Sequence, residues 1–279
     1  MRASRALPGG RLDAQDGTFI PFRALKEYRM LVLSLDTTTR AGSAALWRDG
    51  RTLEERVGDP ARTHGQRLPR ELLELLGSQH LELSDVDLYA VAAGPGSFTG
   101  LRVGIATIQG LAFASSRPVV AVSTLDALGL AGVRASGPAP GRLLIGAWMD
   151  ALRDEVFSQL FEVTADRQAA VPDEGQLTSL EGPAVDRPVR TLDRWRQLAG
   201  DRPIGFIGEG ALRYRDIIGG HFARQALITA AAPALAAVLA EIAARRAVAG
   251  EAVAPHAVRP VYVRRPDAEI ARDRPKSTP

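Results

Sequence analysis

The sequence predicts an α/β fold in which one unit is used twice. Apolar strand runs end in an aspartate, and glycine turns hand strands over to helices. The same landmarks return at one offset. LVLSLD (31–36) and LLIGAWMD (143–150) both close on an acid. Asp36 and Asp150 stand 114 residues apart, and Gly94/Gly96 and Gly208/Gly210 share that spacing. Strands alternating with helices are the pattern of an α/β sheet.

Residues 1–29, rich in Arg, Gly and Pro and without periodicity, are expected to be a disordered N-terminal extension. They lack the apolar core of a signal peptide, and Met30 is itself a candidate start of translation. From there LVLSLD reads as a strand, TTTRAG as a polar turn, and GSAALWRDG as the second strand of a hairpin. A helix is expected near Leu68 to Leu76, with Leu68, Leu72, Leu75 and Leu76 on one face and Pro69 marking its first turn or a kink. DLYAVAAG (87–94) is the next strand, followed by a glycine turn, a helix to about Ala114 and the strand RPVVAVS (117–123). In the second half, EVFSQLFEV follows LLIGAWMD as a strand, and RPIGFIGEG (202–210) ends in Gly-x-Gly before a helix. Pro233 is expected to open an Ala-rich helix that stops at Gly250. The expected division is therefore 30–128 and 129–265, with the last helix packing back on the first unit. Residues 266–279 are expected to form a disordered basic tail.

Bulk composition removes several function classes. The chain of 279 residues has no cysteine, which excludes disulfides, thiolate nucleophiles and iron–sulfur ligation. Its four histidines, His64, His80, His221 and His256, include no pair at helical metal-ligand spacing. No long apolar run escapes a charge, so no membrane span is expected, and the expected location is cytoplasmic. The pI near 9.7 belongs to the ends of the chain. Residues 1–29 and 259–279 each carry six basic and three acidic groups, against a whole-chain charge of +3. The part between them is therefore net acidic and offers no obvious phosphate-tracking groove. The only lysines, Lys26 and Lys276, lie in those terminal segments.

Two segments are candidates for chemistry. Asp36, Thr37 and Thr38, together with Gly94, Gly96 and Ser97, could form a nucleotide-like pocket: a carboxylate, hydroxyls and a helix N-terminus can hold phosphate and hydrated magnesium. The bland alternative is an Asx-type turn, and the Walker pattern is absent. In the helix that follows, Gly100, Gly104, Thr107 and Leu111 fall within about 60° of one another at 100° per residue. Leu101, Ile105, Ile108 and Ala112 form a second stripe beside them. So wide an apolar surface serves either packing inside the chain or a subunit interface. A serine-hydrolase reading of Ser97 with His64 lacks the nucleophile elbow.

LSLDTTTRAGSAALWRDG, THGQRLPREL, AVAAGPGSFTGLRVGIATIQGLAFA, VSTLDAL, MDALRDEVF and RPVYVRRPD occur in this order. Together they resemble the TsaB (YeaZ) family, a subunit of the bacterial machinery for N6-threonylcarbamoyladenosine (t6A) in tRNA, over about residues 30–266. That resemblance implies a duplicated actin/Hsp70/sugar-kinase-like (ASKHA) fold of two RNase H-like subdomains. It implies a non-catalytic subunit that heterodimerises with the catalytic TsaD paralog, is joined by the ATPase TsaE, and meets tRNA through the complex. A homodimer is expected when the partner is absent. No tightly bound cofactor is expected, with ATP or ADP and magnesium at a subunit interface of the complex. On that precedent the contact residues would be Leu68, Leu72, Leu75, Gly100, Leu101, Gly104, Ile105, Thr107, Ile108 and Leu111. Gly104→Leu would then abolish association and leave the monomer folded. The alternatives are an ATP-dependent phospho- or carbamoyltransferase of the same fold and a peptidase acting on TsaD.

Overall fold

The computed structural model describes residues 10–12, 19–21, 30–136, 143–164 and 177–264. The expectations for the two ends of the chain fall largely outside these residues. Within the N-terminal extension, Gly10–Leu12 and Phe19–Pro21 pair as short antiparallel strands where disorder was expected. Phe19 and Ile20 are good strand formers.

Two five-stranded sheets carry the fold. The first contains β1 (Leu31–Asp36), β2 (Ser43–Arg48), β3 (Arg51–Val57), β4 (Leu88–Gly94) and β5 (Val119–Ser123), in the order β3-β2-β1-β4-β5. The second contains β6 (Leu144–Asp150), β7 (Val156–Val163), β8 (Leu177–Asp186), β9 (Ile204–Ile207) and β10 (Ala226–Ile228), in the order β8-β7-β6-β9-β10. The two orders are identical when strands are counted from the start of each sheet. In both, the first three strands run antiparallel and the last two join in parallel. Every residue of β1 is buried, as an inner strand covered on both faces requires. β3 is a strand that the sequence reading passed over. Asp49 and Gly50, both at positive φ, form the tight Asp-Gly connection that favours hairpins.

The second half carries α4 (Pro188–Ala199), α5 (Glu209–Arg213) and α6 (Arg215–Phe222), and two other helices cross between the sheets. α3 (Thr124–Ser136) follows the first sheet in the chain but packs mainly on β6 and β9. α7 (Ala236–Val248) follows the second sheet and packs on β1, β2, β4 and β5. The expected boundary at 128/129 thus falls inside α3. The core between the sheets is built from both helices, including Leu125, Leu128, Leu239 and Ile242. α7 begins at Ala236, three residues after Pro233, because side chains of the first sheet cap it. Ser43 Oγ accepts from the Leu235 and Ala236 amides at 3.2 and 3.0 Å, and Glu55 accepts from the Ala237 amide at 2.9 Å. Such caps satisfy the orphan amides of a helix start. Arg246–Asp126 and Arg134–Glu241 add ion pairs between α7 and α3.

α1 (His64–Ser78) starts one turn earlier than expected and carries Pro69 inside it. It packs beside α2 (Phe98–Ala114), whose N-cap Ser97 accepts from the Gly100 amide. The glycines Gly96, Gly100 and Gly104 face one object, the turn after β1. A Cβ on Gly96 would run into Thr38, and one on Gly100 into the Thr37 carbonyl. One on Gly104 would run into Thr37 Oγ1. In return, Thr37 Oγ1 donates to the Gly100 carbonyl at 2.8 Å and the Ser97 amide donates to the Thr38 carbonyl at 2.8 Å. The glycines make a groove in α2, and the chain's own threonines fill it.

Gly104→Ala therefore lowers the unfolding free energy of the isolated protein by about 1–3 kcal/mol, as overpacking does. Gly110→Ala, where a Cβ meets nothing within 4 Å, raises it by up to about 1 kcal/mol through helix propensity. Urea denaturation of both variants checks the pair.

Candidate functional site

The structure brings together the residues expected to make a phosphate pocket, but closes them on one another. Gly96 and Ser97 lie against the Thr37–Thr38 turn, and Thr37 and Thr38 are buried. Gly94 is covered by the Val261 carbonyl, and the Val261 amide donates to Ala93 O at 2.7 Å. Side-chain stacking pins the same segment, with Phe98 and Tyr262 5.0 Å apart and Arg102 over Phe98. Of the six residues, only Asp36 lines the neighbouring cleft. The other five pack against one another or against the C-terminal segment, with Ser97 still exposed.

The cleft lies where the two subdomains meet and encloses about 220 Å³. Its walls include Val57, Leu128, Met149 and Leu235, and its two acids are Asp36 and Glu209. Asp36 is 3% exposed. Its Oδ1 accepts from the Thr38 amide at 2.8 Å and from Thr38 Oγ1 at 2.6 Å. Burial pushes its carboxyl above the ordinary range, against the lowering effect of those bonds. Glu209 follows Gly208 at the start of α5 (Glu209–Arg213). Burial raises its carboxyl too, and the charges of Asp150 and Asp36 raise it further. Asp150, the counterpart of Asp36 in the second unit, accepts from Arg213 at 2.7 Å and from the Leu152 amide at 3.0 Å.

This donor set does not fit a magnesium nucleotide. Two carboxylates line the cleft and no basic side chain does, so phosphate would meet like charge. Asp36 spends one oxygen on its own turn, and Asp150 is neutralised by Arg213. Among the described residues no group of three or more His, Asp or Glu side chains could hold a metal.

Residues around the turn that sequence reasoning did not assign tie it to α1. Arg67 is buried and donates to the Ala41 carbonyl, to Glu71 and to His64 Nδ1. His64 Nε2 meets the Thr39 carbonyl at 2.9 Å. Burial lowers the histidine, the Thr39 contact opposes that, and the Arg67 charge adds to it. The signal was the THGQR segment, which places His64 and Arg67 on one helix face.

The expected contact residues divide. Leu68, Leu72, Leu75, Leu101, Ile105 and Ile108 lie in the chain's own core, and Gly100 and Gly104 lie under Thr37. These eight are correctly grouped by period but face inward. Thr107 and Leu111 are half-buried and reach the surface. They flank a second small-residue stripe, Ala106, Gly110 and Ala114, which is exposed. From Gly104 to Ala106 is two residues, about 200° around the helix, so α2 carries one small stripe inward and another outward. Val103 borders the outer stripe, Phe113 beyond it is 79% exposed, and Leu73 of α1 is 57% exposed. The four-residue spacing of Ala106, Gly110 and Ala114 was visible in the sequence. Gln109 is drawn off by the C-terminal segment, donating to the Pro255 and Val258 carbonyls.

Comparison with known proteins finds matches named TsaD and matches named TsaB. A family model described as tRNA N6-adenosine threonylcarbamoyltransferase, TsaD, matches residues 58–272. The tRNA threonylcarbamoyladenosine biosynthesis protein TsaB of Escherichia coli K12 is 34% identical over 172 residues, 62% of this chain and 69% of that protein. The protein of the same name from Bacillus subtilis 168 is 27% identical over 68% of this chain and 75% of its own length. Among solved structures, YeaZ from Pseudomonas aeruginosa superposes with a TM-score of 0.67 at 32% identity, covering 84% of this chain and 99% of that one. The fold is that of the YeaZ structure. Among the described residues no helix is long and apolar enough to cross a membrane.

Glu209 gives this region a testable pH signature. Its raised carboxyl means that the folded state holds more protons than the unfolded one above about pH 4, the unfolded glutamate value. Stability therefore falls as pH rises through the folded value, and the ionised group opposes folding at neutral pH. Glu209→Gln raises the melting temperature at pH 7, and the gain shrinks as pH falls through the folded value of Glu209 and vanishes below about pH 4. A loss of stability at pH 7 would contradict this.

Proposed function

The chain belongs to the TsaB (YeaZ) family of tRNA threonylcarbamoyladenosine biosynthesis, and we propose that it is the non-catalytic subunit that heterodimerises with the catalytic TsaD paralog. TsaE joins as the ATPase, and tRNA is met through the assembled complex. The observation that carries the reading is the outer face of α2. Small side chains at Ala106, Gly110 and Ala114 leave the helix backbone open to a partner helix. Leu111, Phe113 and Leu73 supply apolar area beside them. Helices pack at about 8–10 Å, closer where contact residues are small. Apolar burial contributes about 25 cal/mol per Å² before the costs of association. Inward glycines hold the helix rigidly against the Thr37–Thr38 turn, so the face is preorganised for docking.

The rival activities find less support. For a peptidase, Ser97 and His64 would have to work together. Ser97 instead caps α2, and both ring nitrogens of His64 are engaged with Thr39 and Arg67. For an ATP-dependent transferase, the acidic cleft would have to accept phosphate. When the TsaD paralog is absent, the same α2 face in a second copy is the occupant, giving a homodimer.

Titration calorimetry with the TsaD paralog of the same organism tests the reading. Ala106→Arg and Gly110→Leu weaken association by about 100-fold or more, a loss of about 2.7 kcal/mol and within the range of interface hot spots. Both leave the unfolding transition of the isolated chain in place, since neither side chain points into the core. Wild-type affinity in both variants would refute the assignment. Gly104→Leu is unsuitable for this test, because it damages the monomer first.

A further inference from the structure

We infer that Arg102 of α2 and Arg259 of the C-terminal segment form a seat for an acid at one end of the docking face, where they take a carboxylate side chain of the TsaD paralog. The inference rests on the docking of that paralog along Ala106, Gly110 and Ala114, and it names the partner's chemistry at one point. Three observations converge on it. First, Arg102 stands four residues before Ala106 and is exposed like the stripe it extends by one turn. A helix seated on the stripe at about 8–10 Å carries its side chains over that guanidinium. Second, Arg102 and Ala106 line one groove of about 340 Å³ together with Arg259, Pro260 and Tyr262. No acidic side chain lines it, so two like charges face a shared space. Third, both guanidiniums are held by groups that leave their charge in place. Arg102 lies 3.9 Å from the centre of the Phe98 ring, and its Nε donates to Tyr262 Oη at 3.2 Å. Arg259 donates to the His256 carbonyl and, at 2.9 Å, to the Val258 carbonyl.

Elsewhere Arg134, Arg194, Arg202 and Arg213 are positioned by acids at 2.7 or 2.8 Å. Arg102 and Arg259 have no carboxylate at ion-pair distance among the described residues. Stacking and neutral hydrogen bonds restrict both side chains before a partner arrives, so less freedom is lost when an acid binds. The planar fork of a guanidinium then matches a carboxylate through two parallel bonds. Ala106 belongs to both the groove and the stripe, so whatever covers the stripe also borders the groove. A nucleic-acid phosphate has the right charge but would have to share that border with the docked helix. Charges at such a rim set orientation and association rate more than affinity. The acid therefore fixes which end of the partner helix meets the start of α2.

Zero-length carbodiimide coupling in the complex with the paralog, read by mass spectrometry, tests the inference alongside titration calorimetry. The chain's only lysines are Lys26 and Lys276, so Arg102→Lys and Arg259→Lys each place a single amine in the groove. That amine is expected to couple to an aspartate or glutamate of the paralog, and not to do so when Ala106→Arg is added to block docking. The double variant Arg102→Gln/Arg259→Gln is expected to bind the paralog about tenfold more weakly at about 50 mM sodium chloride. The difference shrinks below about threefold at about 500 mM, where the charges are screened. Both arginines are exposed, so these variants keep the wild-type fold. Docking that is sensitive to Ala106→Arg but unchanged in the double variant at low salt, or that yields no coupling from either lysine, overturns the inference and leaves the docking face standing. Docking insensitive to Ala106→Arg overturns both. Weaker tRNA binding by the complex of the double variant, at unchanged affinity for the paralog, overturns the inference in favour of a nucleic-acid contact.

Discussion

The structure depends on how α2 receives the turn that follows β1. Gly96, Gly100 and Gly104, one helical turn apart, leave room for Thr37 and Thr38, and the hydroxyl of Thr37 returns a hydrogen bond to the groove. That contact fixes the angle between α2 and the first sheet. It directs Leu101, Ile105 and Ile108 into the core and, by helical period alone, turns Ala106, Gly110 and Ala114 to solvent. It also holds Asp36 at the edge of the cleft. A single close approach thereby orients both the surface available to a partner and the acid at the subdomain junction.

The subdomains are joined by exchange of helices more than by surface contact. Each sheet is covered by a helix that belongs, in chain order, to the other half. The start of α7 is capped by Ser43 and Glu55 of the first sheet. Opening the cleft would expose those amides and the carboxylate that serves them. Such a junction suits a subunit whose role is to present a fixed face, and it keeps the cavity volume small.

Much of the fold was legible because its signals are local. Strand runs ending in Asp36 and Asp150, the shared 114-residue offset and the Ala-rich last helix all follow from composition and period. The strand β3 was announced by Asp49–Gly50, and the start of α7 was misplaced because its caps lie nearly 200 residues upstream. The site was less legible for a physical reason. Helical period groups residues that share a face but does not say what covers that face. Gly100 and Gly104 have the spacing of a docking stripe, yet Thr37, some 60 residues earlier, occupies it. The acid of the cleft, Glu209, stood between two glycines that drew attention to the turn and away from the carboxylate.

The central claim is that the outer stripe of α2 is the surface on which the TsaD paralog docks. Because the chain has no cysteine, a single introduced thiol reports burial at one position. Alkylation rates of Ala106→Cys and of Gly182→Cys, an exposed position on β8, are to be compared with and without saturating paralog. The account predicts at least about tenfold protection at position 106 and an unchanged rate at 182. An unchanged rate at 106 under saturation, or protection confined to 182, would contradict it.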